Sequence, residues 1–336
     1  MKIQSIRLEN LTVFKDLTVN LSEGINVFIG KNGTGKTHLL KTIYGVCETS
    51  KEKSPFAFNF LKCFQQNSAI INFFHDRTHG TFSINLNRED FSHEMDSRKN
   101  TILMDKDDNI WGGYHINLPK GDMFNATYIP VKDMLTHSKG LLAMSEKYNG
   151  FPFDKTLTDI INRASQWKLK KIPTMAKSFM PVLEKMIDGE VIIENEEFFI
   201  KKHDGQLINF TVEAEGLKKI GLLWQLIMNE NLTEDSILIW DEPEANLNPD
   251  FFPNLVECLL ELSRYNVQIC VSTHNYIFAK YFDVRRKETD SVKFHSLYKD
   301  FENNVQIESK RQFHELNHND IMTAFEKLLD EVYNLK

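Results

Sequence analysis

Residues Gly30 to Thr37 read GKNGTGKT and fit G-x-x-x-x-G-K-[ST], with Gly30, Gly35, Lys36 and Thr37 in the fixed places. The preceding Ile25-Asn26-Val27-Phe28-Ile29 is apolar enough for a buried strand, and residues 38–44 put apolar side chains at helical spacing. A glycine-rich loop between a buried strand and a helix is the context in which this pattern cradles phosphate. Backbone N–H groups of Gly30, Asn32, Gly33, Thr34 and Gly35 can turn inward around a β-phosphate, and the helix N-terminus adds partial positive charge. Lys36 is then placed to reach β/γ oxygens, and the Thr37 hydroxyl to ligate Mg2+. The expected fold is α/β, with a nucleotide held at the rim of its sheet.

The 336 residues are 41% apolar and 26% charged, the balance of a soluble globular chain able to bury a sizeable core. A net charge of −7 argues against a uniformly basic nucleic-acid binder and leaves a local basic face open. Cys47, Cys63, Cys258 and Cys270 are widely spaced without a C-x-x-C pair, so neither a zinc ribbon nor a disulfide framework is indicated. The start, MKIQSIRLEN, lacks the apolar core of a signal peptide, and no apolar run approaches the ~18 residues of a membrane span. The expectation is a cytoplasmic protein that is not membrane-embedded.

Along the chain, residues 2–29 read as strands feeding the loop. Residues 69–74 and 81–86 are strand-like runs about the turn 75–80, which predicts an antiparallel hairpin. His75 and His79 flank that turn and read as solvated. Ala126 to Ile129 is a short strand ended by Pro130. Helical spacing over Leu135–Tyr148, Leu157–Trp167 and Met175–Ile187, punctuated by Pro152, Pro173 and Pro181, predicts a small helical lobe. Val191 to Phe210 returns to strands around His203-Asp204-Gly205. No heptad repeat, internal repeat or low-complexity tract is present.

Ile237-Leu238-Ile239-Trp240-Asp241-Glu242-Pro243 describes a buried strand that delivers two carboxylates to the sheet rim, a Walker B pattern. Asp241 is the expected holder of the magnesium shell, and Glu242 the base that orients and deprotonates an attacking water. Ile269-Cys270-Val271-Ser272-Thr273-His274 is a further buried strand, ending in hydroxyls and a histidine placed to touch a γ-phosphate.

In this order, with a long insertion between the first two motifs, the chain resembles ABC-type ATPases of the RecF, SMC and OLD branch. The opening IRLENLTVFKDLTVNLSEGINVFIGKNGTGKT looks like the start of RecF and SMC heads, and DEPEANLNP resembles the D-E-P-E-x-x-L-x-P of OLD-like ATPases. The likeness is strong over residues 1–45 and 210–280 and holds only in outline between. It implies a P-loop NTPase fold: a single ABC-type ATPase head over 1–336, with an antiparallel β subdomain and a helical lobe. Its parts are expected at 1–135 (sheet and phosphate loop), 136–190 (helical lobe) and 191–336 (signature, Walker B, switch histidine and C-terminal helix).

The resemblance further implies ATP and Mg2+ as cofactors, with Lys36, Glu242 and His274 catalytic and Thr37 and Asp241 at the metal. Nucleotide would be sandwiched in a homo-dimer or higher oligomer. At the signature position stands Val212-Glu213-Ala214-Glu215-Gly216-Leu217, which lacks the usual serine but keeps Gly216 and a helix N-terminus that can face a partner's nucleotide. Glu244 to Pro249 corresponds to the D-loop, and Gln65 and Lys132-Asp133 are the candidates for the Q-loop. OLD relatives often carry a nuclease domain, and too little chain follows His274 to hold one. The expected function is control of a separate effector, a nuclease or toxin, in antiphage defence. RecF/SMC-like DNA repair, with nucleic acid as a ligand, and a transporter subunit are the alternatives. His314-Glu315-Leu316-Asn317-His318 also matches the zinc-protease pattern H-E-x-x-H, but Asn317 to Asp320 read instead as the cap of a last helix.

Overall fold

The computed structural model describes residues 2–49, 62–64, 81–88, 91–94, 103–104, 110–111, 124–148 and 152–333. Strands β1 (Lys2–Leu11) and β2 (Phe14–Asn20) form an antiparallel pair. Ile6, Leu8, Phe14, Leu17 and Val19 are buried while alternate residues of β2 face outward, the two-residue period of a half-covered strand. β3 (Ile25–Gly30) is buried at every position and ends on the first loop glycine; α1 (Lys36–Thr49) begins at the loop lysine. β4 (Thr81–Arg88) pairs with β1, and β5 (Phe91–Glu94) with β4, giving the antiparallel sheet β2-β1-β4-β5. The other arm of the expected hairpin, His75, His79 and Gln65 lie outside the described residues. β6 (Leu103–Met104) and β7 (Ile110–Trp111) pair as a short hairpin.

β8 (Ala126–Ile129) returns to the centre and leads into the helices α2 (Leu141–Lys147), α3 (Lys155–Ala164) and α4 (Met180–Ile187). Two of the predicted helices are broken. Gly140, at φ 70°, separates a 3-10 turn at Leu135–His137 from α2, and Pro181 lies in the first turn of α4, apart from a 3-10 turn at Thr174–Ala176. The lobe is bound to α1 by Lys41 to Asp154 (2.6 Å), Arg163 to Glu48 (3.0 Å) and Tyr44 to Asp159 (2.7 Å), all largely withdrawn from solvent.

β9 (Gly189–Glu194), β10 (Glu197–Lys202) and β11 (Leu207–Asn209) form a three-stranded sheet. The β10–β11 turn falls at the expected His203 to Gly205. The β9–β10 turn uses Asn195 and Glu196 at positive φ, with no glycine or proline to mark it. Then follow α5 (Glu215–Met228), β12 (Ile237–Asp241), α6 (Phe252–Arg264), β13 (Gln268–Ser272), α7 (Tyr276–Arg285), β14 (Val292–Lys299), β15 (Val305–Lys310) and α8 (Asp320–Tyr333).

The central sheet has the order β15-β14-β3-β13-β12-β8, parallel throughout except for the edge strand β15. Alternation along its strands divides the core in two. Ile25, Val27, Ile29, Leu238, Trp240, Ile269 and Val271 face the helical lobe with α5, α6 and α7, whereas Phe28, Ile237, Ile239 and Cys270 face α1 and the antiparallel sheet. Both faces being covered, the strands read as unbroken apolar runs. One polar set is satisfied within the sheet: Asn26 bonds Ser22 and His295, and His295 stacks on Phe28 with centroids 4.7 Å apart. Burial holds that imidazole neutral, its pKa pulled down to about 3.

H-E-x-x-H does not form a two-histidine helical face. His314 lies exposed in a 3-10 turn, while His318 stacks on Tyr298 at 3.8 Å and pairs with Glu308 at 3.1 Å. Asn319 caps α8 by accepting the Met322 N–H. No group of residues suited to hold a metal by proximity alone, and no helix long and apolar enough to cross a membrane, occurs among the described residues.

Candidate nucleotide site

Parallel strands β3, β12 and β13 all point their C-terminal ends at one rim, so Gly30, Asp241 and Ser272 arrive there together. The loop then turns through Gly33 and Gly35 at φ 78° and 88°, which a glycine adopts freely. At Gly35 a β-carbon would also lie 2.5 Å from Val13 and 2.7 Å from Phe14, so β2's start packs directly under the loop. Thr34 steadies the bend by donating its hydroxyl to Lys31 carbonyl (2.9 Å). Asn32 and Gly33 stand on the outer side of the turn, Asn32 lining a cavity of about 470 Å³ with Gly30, His274, Tyr276, Ile321 and Phe325.

Lys36 is buried and folds over the loop, donating to the carbonyls of Gly30 (2.8 Å) and Lys31 (3.0 Å). Desolvation pulls its ammonium down to about 8, against the opposing charges of Glu242, Asp241 and Glu244. Thr37 donates to Asp241 Oδ2 (2.8 Å), which also receives the Tyr128 hydroxyl (3.3 Å), while Ser272 donates to Asp241 Oδ1. Asp241 is thus an anchored carboxylate, ringed by hydroxyls. A hydroxyl and a carboxylate already within contact form an oxygen donor set that suits a hard divalent cation.

Glu242 follows at φ 49°, a left-handed backbone that turns its side chain out of the strand line toward His274, whose Nε2 lies 3.1 Å from Glu242 Oε1. That hydrogen bond, more than any other influence, holds the Glu242 carboxyl below its ordinary range, so it is ionised at neutral pH. Lys219 Nζ donates to the Glu242 carbonyl (2.9 Å) and is itself buried. Glu244, two residues on, is buried and bonded by the Thr273 hydroxyl, and burial pushes it up to about 7.

Lys36, Thr37, Asp241, Glu242 and His274 are therefore brought together at one rim of the sheet. Gly216 is not laid open toward a second chain: it is buried, and a β-carbon there would meet Asn246 O at 2.5 Å and Leu247 Cα at 2.8 Å. Its small size serves a close approach of α5 to the 244–248 loop of the same chain. Glu215 is paired by Lys218 at 2.7 Å, which resolves its anionic character at the helix start. Asp133, of the two Q-loop candidates, bonds the N–H groups of Leu135 and Thr136 and closes its own turn. Tyr128 and Lys219 are not marked by sequence spacing, whereas Ser272 and Thr273 are the hydroxyls expected at the end of their strand and Glu244 opens the expected D-loop. The Lys218-Lys219 pair is the local signal that points to Lys219.

Residues 124–279 match the family described as "AAA domain, putative AbiEii toxin, Type IV TA system". The DNA replication and repair protein RecF of Cytophaga hutchinsonii is 31% identical over 106 residues, 32% of this chain and 26% of that protein. RecF of Clostridium botulinum strain Eklund 17B is 41% identical over 71 residues, 21% of this chain and 19% of that one. The matched stretches thus span about a quarter or less of these relatives. Among solved structures, an Smc head bound to the C-winged helix domain of ScpA superimposes with a TM-score of 0.58 at 15% identity, covering 94% of this chain and 99% of that one. The Smc head with an extended coiled coil bound to the C-terminal domain of ScpA, derived from Pyrococcus furiosus, gives 0.56 at 13% identity, covering 98% and 99%.

Proposed function

We propose that this chain, an ABC-type ATPase head of the RecF/SMC-like class, binds ATP with Mg2+ at the Gly30 to Thr37 loop and hydrolyses it to ADP and phosphate. The observation that carries the reading is the convergence of Lys36, Thr37, Asp241, Glu242 and His274 on one sheet rim. Lys36 would exchange its carbonyl partners for β/γ oxygens, and Thr37 and Asp241 would hold the magnesium ion, which neutralises phosphate charge when bound. Glu242, ionised beside His274, accepts a proton from water as that oxygen attacks the γ-phosphorus; the bond to the β–γ bridging oxygen breaks and its electrons leave with ADP. His274 orients Glu242 and faces the terminal phosphate.

We further read the chain as a homo-dimer closed by ATP, in the cytoplasm, controlling a separate effector in antiphage defence. The match over residues 124–279 to a family described with a toxin and a toxin–antitoxin system favours that reading. RecF-like DNA repair is the second reading, supported by the RecF matches. The buried thiols of Cys258 and Cys270 suit a reducing compartment. Two experiments test these claims: phosphate release by purified protein, with Glu242→Gln as control, and plating of gene-deleted and complemented cells under phage and under DNA damage. Loss of phage resistance supports defence; damage sensitivity alone supports repair; no phosphate release above the control removes the ATPase.

A further inference from the structure

β12 and β13 run parallel in register to the pair Asp241 and Ser272, and the last backbone bond between them is the Glu242 N–H donating to the Ser272 carbonyl at 3.1 Å. The Glu242 side chain and His274 both lie past that bond, so their mutual position depends on what further ties the two outgoing turns together. Their own contact is a partly exposed pair, at 30% and 33% side-chain exposure, and solvent screening weakens such pairs. A second tie is buried: the Thr273 hydroxyl donates to Glu244 Oε1, with Thr273 fully buried and Glu244 8% exposed. A threonine hydroxyl has one hydrogen, and here it is spent on Glu244 while the same oxygen accepts the Asn275 N–H at 2.9 Å. Asn275 in turn accepts the Phe278 N–H and caps α7. Glu244 Oε2 is buried with no hydrogen-bond partner among the described residues. An acid half-satisfied in this way costs stability that an apolar side chain would not.

We propose that Glu244 is a positioning residue for hydrolysis: through Thr273 it fixes His274 against Glu242. It acts on the water-activating pair without touching nucleotide. The turn that carries it is clamped from the other side, where Gly216 abuts Asn246 and Leu247 and Lys219 holds the Glu242 carbonyl. The bond to Thr273 is therefore the link by which a fixed turn sets the height of the neighbouring one. This inference rests on the hydrolytic reading above for its kinetic consequence, though the link itself has a separate readout.

Glu244→Ala, Glu244→Gln, Thr273→Val and the double variant Glu244→Ala/Thr273→Val provide the test, in steady-state ATP hydrolysis and by the 15N resonance of the His274 imidazole. Expected is a fall in kcat of ~10-fold or more in Glu244→Ala and in Thr273→Val with KM changed less than ~2-fold, no further fall in the double variant, and retention within ~3-fold in Glu244→Gln, whose amide oxygen still accepts. Additive losses, an equal rise in KM, or a Gln variant as impaired as Ala overturns the proposal. The near-isosteric Thr273→Val and Glu244→Gln keep the comparison open where Ala fails to fold. If the wild type releases no phosphate, the ATPase reading fails, and the imidazole decides the link: a shifted Nε2 resonance in Thr273→Val but not in Glu244→Gln supports it, and an unmoved resonance in both overturns it.

Discussion

Lys36 is held by two carbonyls of its own loop, and with triphosphate bound the same ammonium is free to trade them for stronger, charge-assisted bonds. Lys36→Ala removes that cation, so ATP affinity measured by calorimetric titration is expected to fall by ~100-fold or more; unchanged affinity would remove the site assignment. Glu242→Gln preserves shape and abolishes the base: ATP binding persists while turnover falls by ~100-fold or more, and near-normal turnover would make Glu242 structural. His295 gives a prediction about pH. Its folded pKa of about 3 lies below the unfolded value of ~6.5, so the unfolded chain binds a proton that the folded one refuses. Stability from this site is complete above pH ~6.5 and declines as pH falls toward about 3. Thermal midpoints of His295→Gln should therefore fall less between pH 6.5 and 4 than those of the parent, and parallel curves would refute the buried neutral imidazole. Residues fixed by local spacing, Lys36, Thr37, Asp241, Glu242 and His274, were legible in the sequence. Tyr128 was not, because it reaches Asp241 from 113 positions away and nothing nearby in the chain announces the contact.

Elements were legible where one periodicity acted alone. β3, β12 and β13 are buried on both faces and so stand out as apolar runs, while the helices of the lobe were read too long because apolar spacing continues across Gly140 and up to Pro181, where backbone geometry decides. The β9–β10 turn was invisible for the opposite reason, since Asn195 and Glu196 take left-handed conformations imposed by the strand pairing around them. Contacts between elements were likewise out of reach, and Gly216 is the instructive case: its role at α5 is set by a loop thirty positions on. Gly216→Ala places a methyl 2.5 Å from Asn246 O and must displace the 244–248 loop or tilt α5. A loss of ~1–3 kcal/mol in denaturant unfolding is expected, with kcat reduced alongside because the displaced loop carries Glu244 and follows Glu242 by two residues. An unchanged unfolding midpoint would mean that the loop moves aside freely and that the clamp has no mechanical role.

At the scale of the whole molecule, the antiparallel sheet, the central sheet and the lobe meet around α1, so the phosphate loop is built into the core and not appended to it. In the proposed ATP-closed dimer the α5 start is the group that would face a second copy's triphosphate: Ala214 is exposed, has no side-chain cap bond, and leads a fourteen-residue helix. Ala214→Glu tests this without harming the protomer, because a carboxylate at a helix N-terminus is favourable within its own chain yet repels a partner's triphosphate. The Ala214→Glu protein alone should bind ATP but hydrolyse it slowly and fail to dimerise on it, and the Lys36→Ala protein alone should do neither. Mixed, they form a dimer in which one site joins two damaged halves and the other joins an intact loop to an intact helix start. Recovery of phosphate release in the mixture, beyond the sum of the separate proteins, is the expected outcome. Demonstrated heterodimers with no recovery would show that each head completes its site alone.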